Sequence, residues 1–288
     1  MATLREIKTR ITAVKSIEKI TKAMKMVSAA KLRRAQDKIL STRPYALKLS
    51  ELLDHLSSVA DASTNPLLNV TDEKNKLVVI ITADRGMCGA FNSNVIKYAC
   101  NYIDEIGKDT KIIIIGKKAS DFFARRDYNI IEKYTSVFGD LNIGVSNSIV
   151  AKIVTGYLNN EYNSVELIYN EFKSVVRQNV LKEKFLPIVS AAEKAVEKYS
   201  KVDFIYEPSA ESILNDLIPR KLNIQLWKAL LESNAAEQGA RMTSMEIATK
   251  NAEDMIKFLD LLYNKARQES ITKEILEIVS GAEALKEG

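Results

Sequence analysis

The chain has 288 residues, 46% hydrophobic and 27% charged, which is the composition of a soluble protein of one or two domains and excludes disordered and fibrous classes. Its net charge of +5 is unevenly spread: residues 1–43 hold twelve Lys or Arg against three acids, leaving 30 bases against 34 acids elsewhere. Two cysteines and one histidine exclude a disulfide framework and a histidine-rich metal site, and point to a reducing compartment.

From Thr3 to about Ser58 the chain carries one Pro and no Gly. Leu4, Ile7, Ile11, Val14, Ile17, Ile20, Met24 and Val27 follow in steps of three and four, which predicts a helix with an apolar seam. Thr3 and Glu6 have the spacing of a capping box, each side chain accepting from a backbone N–H that the helix leaves unpaired. Such a helix would reach roughly 80 Å, with a kink or break at Pro44. Within it ITKAMKMVSAAKLRRAQ, residues 20–36, has Lys22, Lys25, Lys31, Arg33 and Arg34 and no acid. Nucleic acid, anionic lipid and an acidic protein surface all suit that charge, which does not choose among them. His55, between Leu53 and Leu56, is expected on a helix face rather than in a catalytic triad.

Residues 61–75, rich in Ser, Asn and Asp, read as a linker. Beyond them, 77–82 and 111–115 are short β-branched runs, each followed by a Gly-containing turn and a helix-like stretch, the rhythm of a parallel α/β unit. Further strands are expected at 130–135, 165–172 and 175–181, the last two as an edge hairpin, with a helix over 147–158. Residues 189–208 read as a second linker. After Pro219, Met245, Ala248, Ala252, Met255, Leu259, Leu262 and Ala266 form a heptad stripe, the mark of a coiled-coil helix. Carried backwards, its register meets Asn234, Gln238 and Arg241, a polar interruption.

The expected architecture is α/β, with a compact domain at 76–188 inserted between long helices at 1–60 and 209–288. A chain that leaves by one helix and returns by the other buries both seams as an antiparallel coiled coil. Ile271, Ile275, Leu276, Ile278 and Val279 are apolar over a broad arc and call for a further partner, another chain. No apolar run nears the ~20 residues of a membrane span, and no secretory signal is expected.

Catalytic chemistry is sparse. ADRGMCGAFNSN, residues 83–94, lies where α/β proteins usually hold a ligand, but its GxxG spacing is neither a dinucleotide fingerprint nor a phosphate-binding P-loop. A tight turn with Asp84 and Arg85 pairing locally is the expectation. Cys88 has no nearby base and is expected as a buried thiol. Two readings remain for the basic helix. A nucleic-acid arm fits the charge but lacks aromatic residues before Tyr45; a surface sliding inside a protein ring suits flexible Met side chains.

IEKITKAMKMVSAAKLRRAQ, TADRGMCGAFNSN, EQGARMTSMEIATKNAEDMI and YNKARQESITKEILEIVSGAEAL resemble, in order and over the whole chain, the gamma subunits of F-type ATP synthases. The resemblance implies a non-catalytic Rossmann-like central domain and an antiparallel coiled-coil shaft inside a ring of three alpha and three beta subunits, one copy per complex. It implies contact with the epsilon subunit and the membrane c ring, no bound cofactor, and a peripheral place on the cytoplasmic face of the inner membrane. Lys22, Met24 and Lys25 fall where the family meets a beta-subunit lever loop, and Arg241, Arg267, Gln268, Thr272 and Glu274 where the returning helix makes polar contacts with beta. Ile271, Ile275, Ile278 and Val279 fall in an apolar sleeve, and Tyr206 and Glu207 face the c ring. Ser28 and Met87 depart from the family pattern.

Overall fold

The computed structural model describes residues 3–59, 65–69, 75–175, 177–188 and 206–284, so most of both expected linkers lies outside the described residues. Helix α1 spans Leu4–Val59. Its first turn is closed reciprocally: Thr3 N donates to Glu6 Oε2 at 2.9 Å and Glu6 N donates to Thr3 Oγ1 at 3.3 Å. The helix continues through Pro44, where a break was expected. Pro44 and Leu40 are exposed, so the ring points to water and the carbonyl it strands has solvent to bond.

The central sheet holds β1 (Lys76–Ile81), β2 (Lys111–Ile115), β3 (Ile130–Tyr134), β4 (Ser164–Phe172) and β5 (Gln178–Leu186), in the order β3-β2-β1-β4-β5. The first four are parallel, and β5 pairs antiparallel with β4 at the edge, the hairpin anticipated from sequence. β5 begins at Gln178, later than expected, and just before it Ser174 N donates to Arg177 O at 3.0 Å. Helices α2 (Phe91–Ile106) and α3 (Lys117–Phe123) cover one face, packing Val95, Ala99, Ile103 and Phe123 on Val78, Ile80, Ile112 and Ile114. Helix α4 (Ile143–Leu158) starts before its expected 147, because the Asn142 side chain accepts from Val145 N at 3.2 Å and caps it.

The opposite face is covered by α4 together with α1 and the last helix, α5 (Ala210–Ala284). Ile149 and Ile153 come from α4, Leu49, Leu53 and Leu56 from α1, and Leu214, Ile218 and Leu222 from α5. Each side chain buried there contributes ~1.5–3 kcal/mol of transfer free energy, which is why the strands read as unbroken apolar runs.

The chain forms two compact units, one of Ser28–Arg241 and one of Met1–Val27 with Met242–Gly288. In the second, Ile7, Ile11 and Val14 pack with Leu259, Tyr263 and Ala266, while Thr249 Oγ1 donates to Thr21 Oγ1 at 2.8 Å and Lys25 Nζ lies 2.7 Å from Glu246 Oε1. Numbers rise on α1 as they fall on α5, so the pairing is antiparallel.

Three residues of the predicted α1 seam and two of the α5 stripe are corrected. Ile17, Ile20 and Val27 are 52%, 59% and 56% exposed, and the half-buried Glu18 and Lys25 and buried Thr21 and Ser28 take their places. On α5, Met255 and Leu262 are exposed, and Ile256 and Tyr263 turn inward. On α1 the reason is angular. Three residues fall about 60° short of a full turn, so two threes in succession, as in Val14, Ile17, Ile20, swing an apolar stripe about 120° off the contact line.

Candidate functional site

The C-terminal ends of the parallel strands, where α/β folds offer a ligand site, are closed by the chain's own groups. Asp84 Oδ1 accepts from Lys117 N at 3.1 Å and from Ser136 N at 2.8 Å, and its Oδ2 accepts from Phe138 N at 3.1 Å. Asp84 was expected to pair with Arg85; instead it joins the loops after β1, β2 and β3. Three backbone donors that an anionic ligand would need are already met. Asn92 Oδ1 accepts from Ala83 N at 2.9 Å, and Asn92 Nδ2 donates to Cys88 Sγ at 3.1 Å. Burial pushes the Cys88 thiol up, and Glu237 adds to this while Arg241 opposes it. Both the burial and the lack of a base beside it among the described residues disfavour the thiolate that a nucleophile needs.

Arg241, whose family position implies a polar contact with beta, is held by groups of its own chain. It is 8% exposed; its Nη1 donates to Glu237 Oε1 at 2.5 Å and its Nη2 to Gly86 O at 3.2 Å. Burial pushes the Glu237 carboxyl up, and the guanidinium pulls against it. The pair therefore ties α5 to the loop after β1.

The other residues singled out from sequence fall into three places. Lys22 is exposed, Met24 is half-buried beside it, and Lys25 is held by Glu246. Arg267, Gln268, Thr272 and Glu274 are exposed on α5, interleaved with Ile271, Ile275, Ile278 and Val279, which are also exposed. Tyr206 is half-buried and shares a 2.7 Å hydrogen bond with His55 Nε2, while Glu207 is exposed. His55 is thus buried and bonded. Sequence reasoning missed the outward stripe of Ile17, Ile20 and Val27, because it assigned those residues to the seam.

It also missed Glu232. This carboxyl is 7% exposed and its Oε2 has no hydrogen-bond partner among the described residues. Burial pushes it up, Lys228 and Arg43 pull against that, and Glu171 and Glu183 add to it. A carboxyl raised in the folded state loses stability as pH rises above the unfolded carboxylate range. Glu232→Gln is therefore expected to stabilise the chain at neutral and alkaline pH by up to about 1 kcal/mol, and to have no effect in acid where Glu232 is protonated in both states. Urea midpoints across pH measure this; a stabilisation that grows towards acid would contradict it.

Comparison with known proteins fits this geometry. A family described as ATP synthase matches residues 3–285. The ATP synthase gamma chain of Chloroherpeton thalassium is 52% identical over 302 residues, covering 100% of this chain and 99% of the relative. That of Chlorobaculum parvum is 48% identical over 294 residues, with 100% of both covered. The chain belongs to the ATP synthase gamma-chain family.

Among solved structures, the central stalk and c ring of the Tetrahymena thermophila mitochondrial ATP synthase contains a chain of 27% identity and TM-score 0.62, matched over 80% of this chain and 99% of that one. A chain in the Euglena gracilis mitochondrial enzyme, at 22% identity and TM-score 0.68, covers 98% of this chain and 94% of its own and shares the fold. Family membership removes the nucleic-acid reading of the basic helix. Among the described residues no helix is long and apolar enough to cross a membrane.

Proposed function

We propose that the chain is the central-stalk rotor of an ATP synthase, turning with the c ring and shifting each beta subunit among states of different nucleotide affinity. The observation that carries this is the end of α5: past Ala266, which packs with Ile7, Ile11 and Leu259, exposed Ile271, Ile275, Leu276, Ile278 and Val279 cover a broad arc of the helix with apolar surface. An apolar sleeve formed by the alpha and beta subunits is the partner that such a tip fits. The chain supplies no catalytic group. Its contribution is differential contact energy, since a shaft that touched every beta state equally would shift none.

Lys22, Met24 and Lys25 would face an acidic lever loop of beta, and Arg267, Gln268, Thr272 and Glu274 would make polar contacts that form and release. Exposed pairs of ~0–1 kcal/mol suit a surface that must let go. Glu207 and Tyr206 would face the c ring, with the epsilon subunit alongside, the assembly lying peripherally on the cytoplasmic face of the inner membrane. Lys25 also pairs with Glu246 of the same chain, and both side chains stay exposed, so it would meet the lever loop with part of its charge already met.

Pull-down of the tagged chain from native membranes tests the reading. Recovery of alpha and beta subunits with ATPase activity is expected; recovery of the chain without them would overturn it. Met24→Lys is expected to add an ion pair to the lever loop and to lower ion-driven synthesis several-fold more than ATP hydrolysis. Equal loss of both would remove Met24 from that contact. Stepwise deletion from Gly288 back through Ile271 is expected to weaken assembly gradually, each lost apolar side chain removing a share of buried area. An abrupt loss at Thr272 or Glu274 would point to a single polar latch.

A further inference from the structure

Within the Ser28–Arg241 unit, α1, the β4–β5 hairpin and α5 enclose a cleft of about 470 Å³. That is the size range of ligand sites, and its lining is of the same kind: apolar wall from Ile39, Leu49, Ile224 and Leu231, with a few charged groups converging on it. Three carboxylates lie there, and two are satisfied. Glu171 accepts from Lys173 Nζ at 2.8 Å, and Glu183 accepts from Tyr169 at 2.7 Å and from Gln225 Nε2 at 2.8 Å. Glu232 is the exception: it is 7% exposed, it lines the cleft, and its Oε2 is buried with no hydrogen-bond partner among the described residues. Leaving such an oxygen unbonded forfeits its hydration without return, and the loss is larger when the group is charged. An occupant that donates to it therefore has a strong advantage.

The donor must keep its charge out of water and must reach past an apolar wall. A guanidinium does both, because it stays protonated, is weakly hydrated, and presents a planar fork of N–H groups to a carboxylate. No group of carboxylates, histidines or cysteines among the described residues is arranged to hold a metal ion. Arg43, Lys221 and Lys228 also line the cleft, so its formal charge is balanced.

The mouth distinguishes a protein from a small molecule. Leu47 lines the cleft yet is 59% exposed, and Leu40, seven residues earlier on the same face of α1, is 60% exposed. Apolar surface therefore continues along α1 beyond the cavity, farther than a small amine would cover.

We propose that the cleft receives an arginine side chain from a neighbouring protein subunit, its guanidinium bonded to Glu232 and the backbone around it resting on Leu47 and Leu40. This rests on the reading of the chain as part of a multi-subunit assembly. The arginine would be an anchor of that interface, a buried cation filling a pocket with an apolar rim.

The test uses the assembled complex, purified with wild-type chain, with Glu232→Gln and with Leu47→Ser, and exposed briefly to phenylglyoxal. Modified arginines are read by peptide mass spectrometry. One partner arginine is expected to be protected in the wild type and to react at least about tenfold faster with Glu232→Gln, as loss of a charged hydrogen bond implies, and to a lesser degree with Leu47→Ser. A complex that retains its partner subunits but shows no partner arginine responding to either variant overturns the proposal. So does a small amine that native mass spectrometry finds retained by the wild type and lost from Glu232→Gln. Failure of the wild-type chain to bring down partner subunits counts instead against the central-stalk reading.

Discussion

Arg241→Ala is expected to destabilise the chain by about 3–5 kcal/mol, the cost of breaking a buried pair and stranding one charge. Glu237, 4% exposed, would lose the guanidinium at 2.5 Å, and the carbonyl of Gly86 would lose a donor at 3.2 Å. The pH dependence follows from the direction in which burial already pushes Glu237. Without Arg241 its carboxyl rises further, and a raised acid is destabilising above the unfolded carboxylate range. The deficit should be full at neutral pH and shrink as acid protonates Glu237 in both states. Denaturation midpoints of wild type and Arg241→Ala as a function of pH measure it, and a deficit independent of pH would mean that the pair is not the source. Arg241→Lys, which keeps the charge and loses the fork, should fall between the two.

Gly116→Ala is expected to be at least as damaging. Gly116 has φ +104°, and a Cβ there would lie 2.0 Å from Thr82 O and 2.6 Å from Thr82 C, both backbone atoms. Either the end of β1 moves or the turn into α3 does. Moving the turn displaces Lys117 N, one of the three donors on Asp84, so strain would spread to all three loops. Gly107→Ala is the control: its φ is +111° and nothing lies within 4 Å of the added carbon. Backbone strain alone costs ~1–3 kcal/mol, and the control should lose that much. The excess at Gly116, expected at more than about 3 kcal/mol in total, isolates the clash. Equal losses at the two positions would show that the contact with Thr82 relaxes without cost.

The α/β domain was legible because its strands are buried on both faces, so runs such as Leu77–Ile81 carry one signal at every position. The hairpin and the capping box were legible for a similar reason, being local. Helix faces were not. Ile17, Ile20 and Val27 read as seam because an apolar residue at a step of three looks the same whether it meets the partner helix or a different protein, and only the antiparallel alignment through Thr21–Thr249 decides. Arg241 was grouped with the polar contacts to beta, and a long charged side chain carries no local sign that a carboxylate four residues away pairs with it. Glu232 was invisible for the opposite reason: an unpartnered buried acid arises from what three separate elements leave open around it.

Asp84 gives the domain an independence that its likeness to ligand-binding folds would not promise. Where such architectures offer backbone donors to a nucleotide, this one spends three of them on its own carboxylate. The loops after β1, β2 and β3 therefore share one support, and a change at Asp84 is felt in all of them at once.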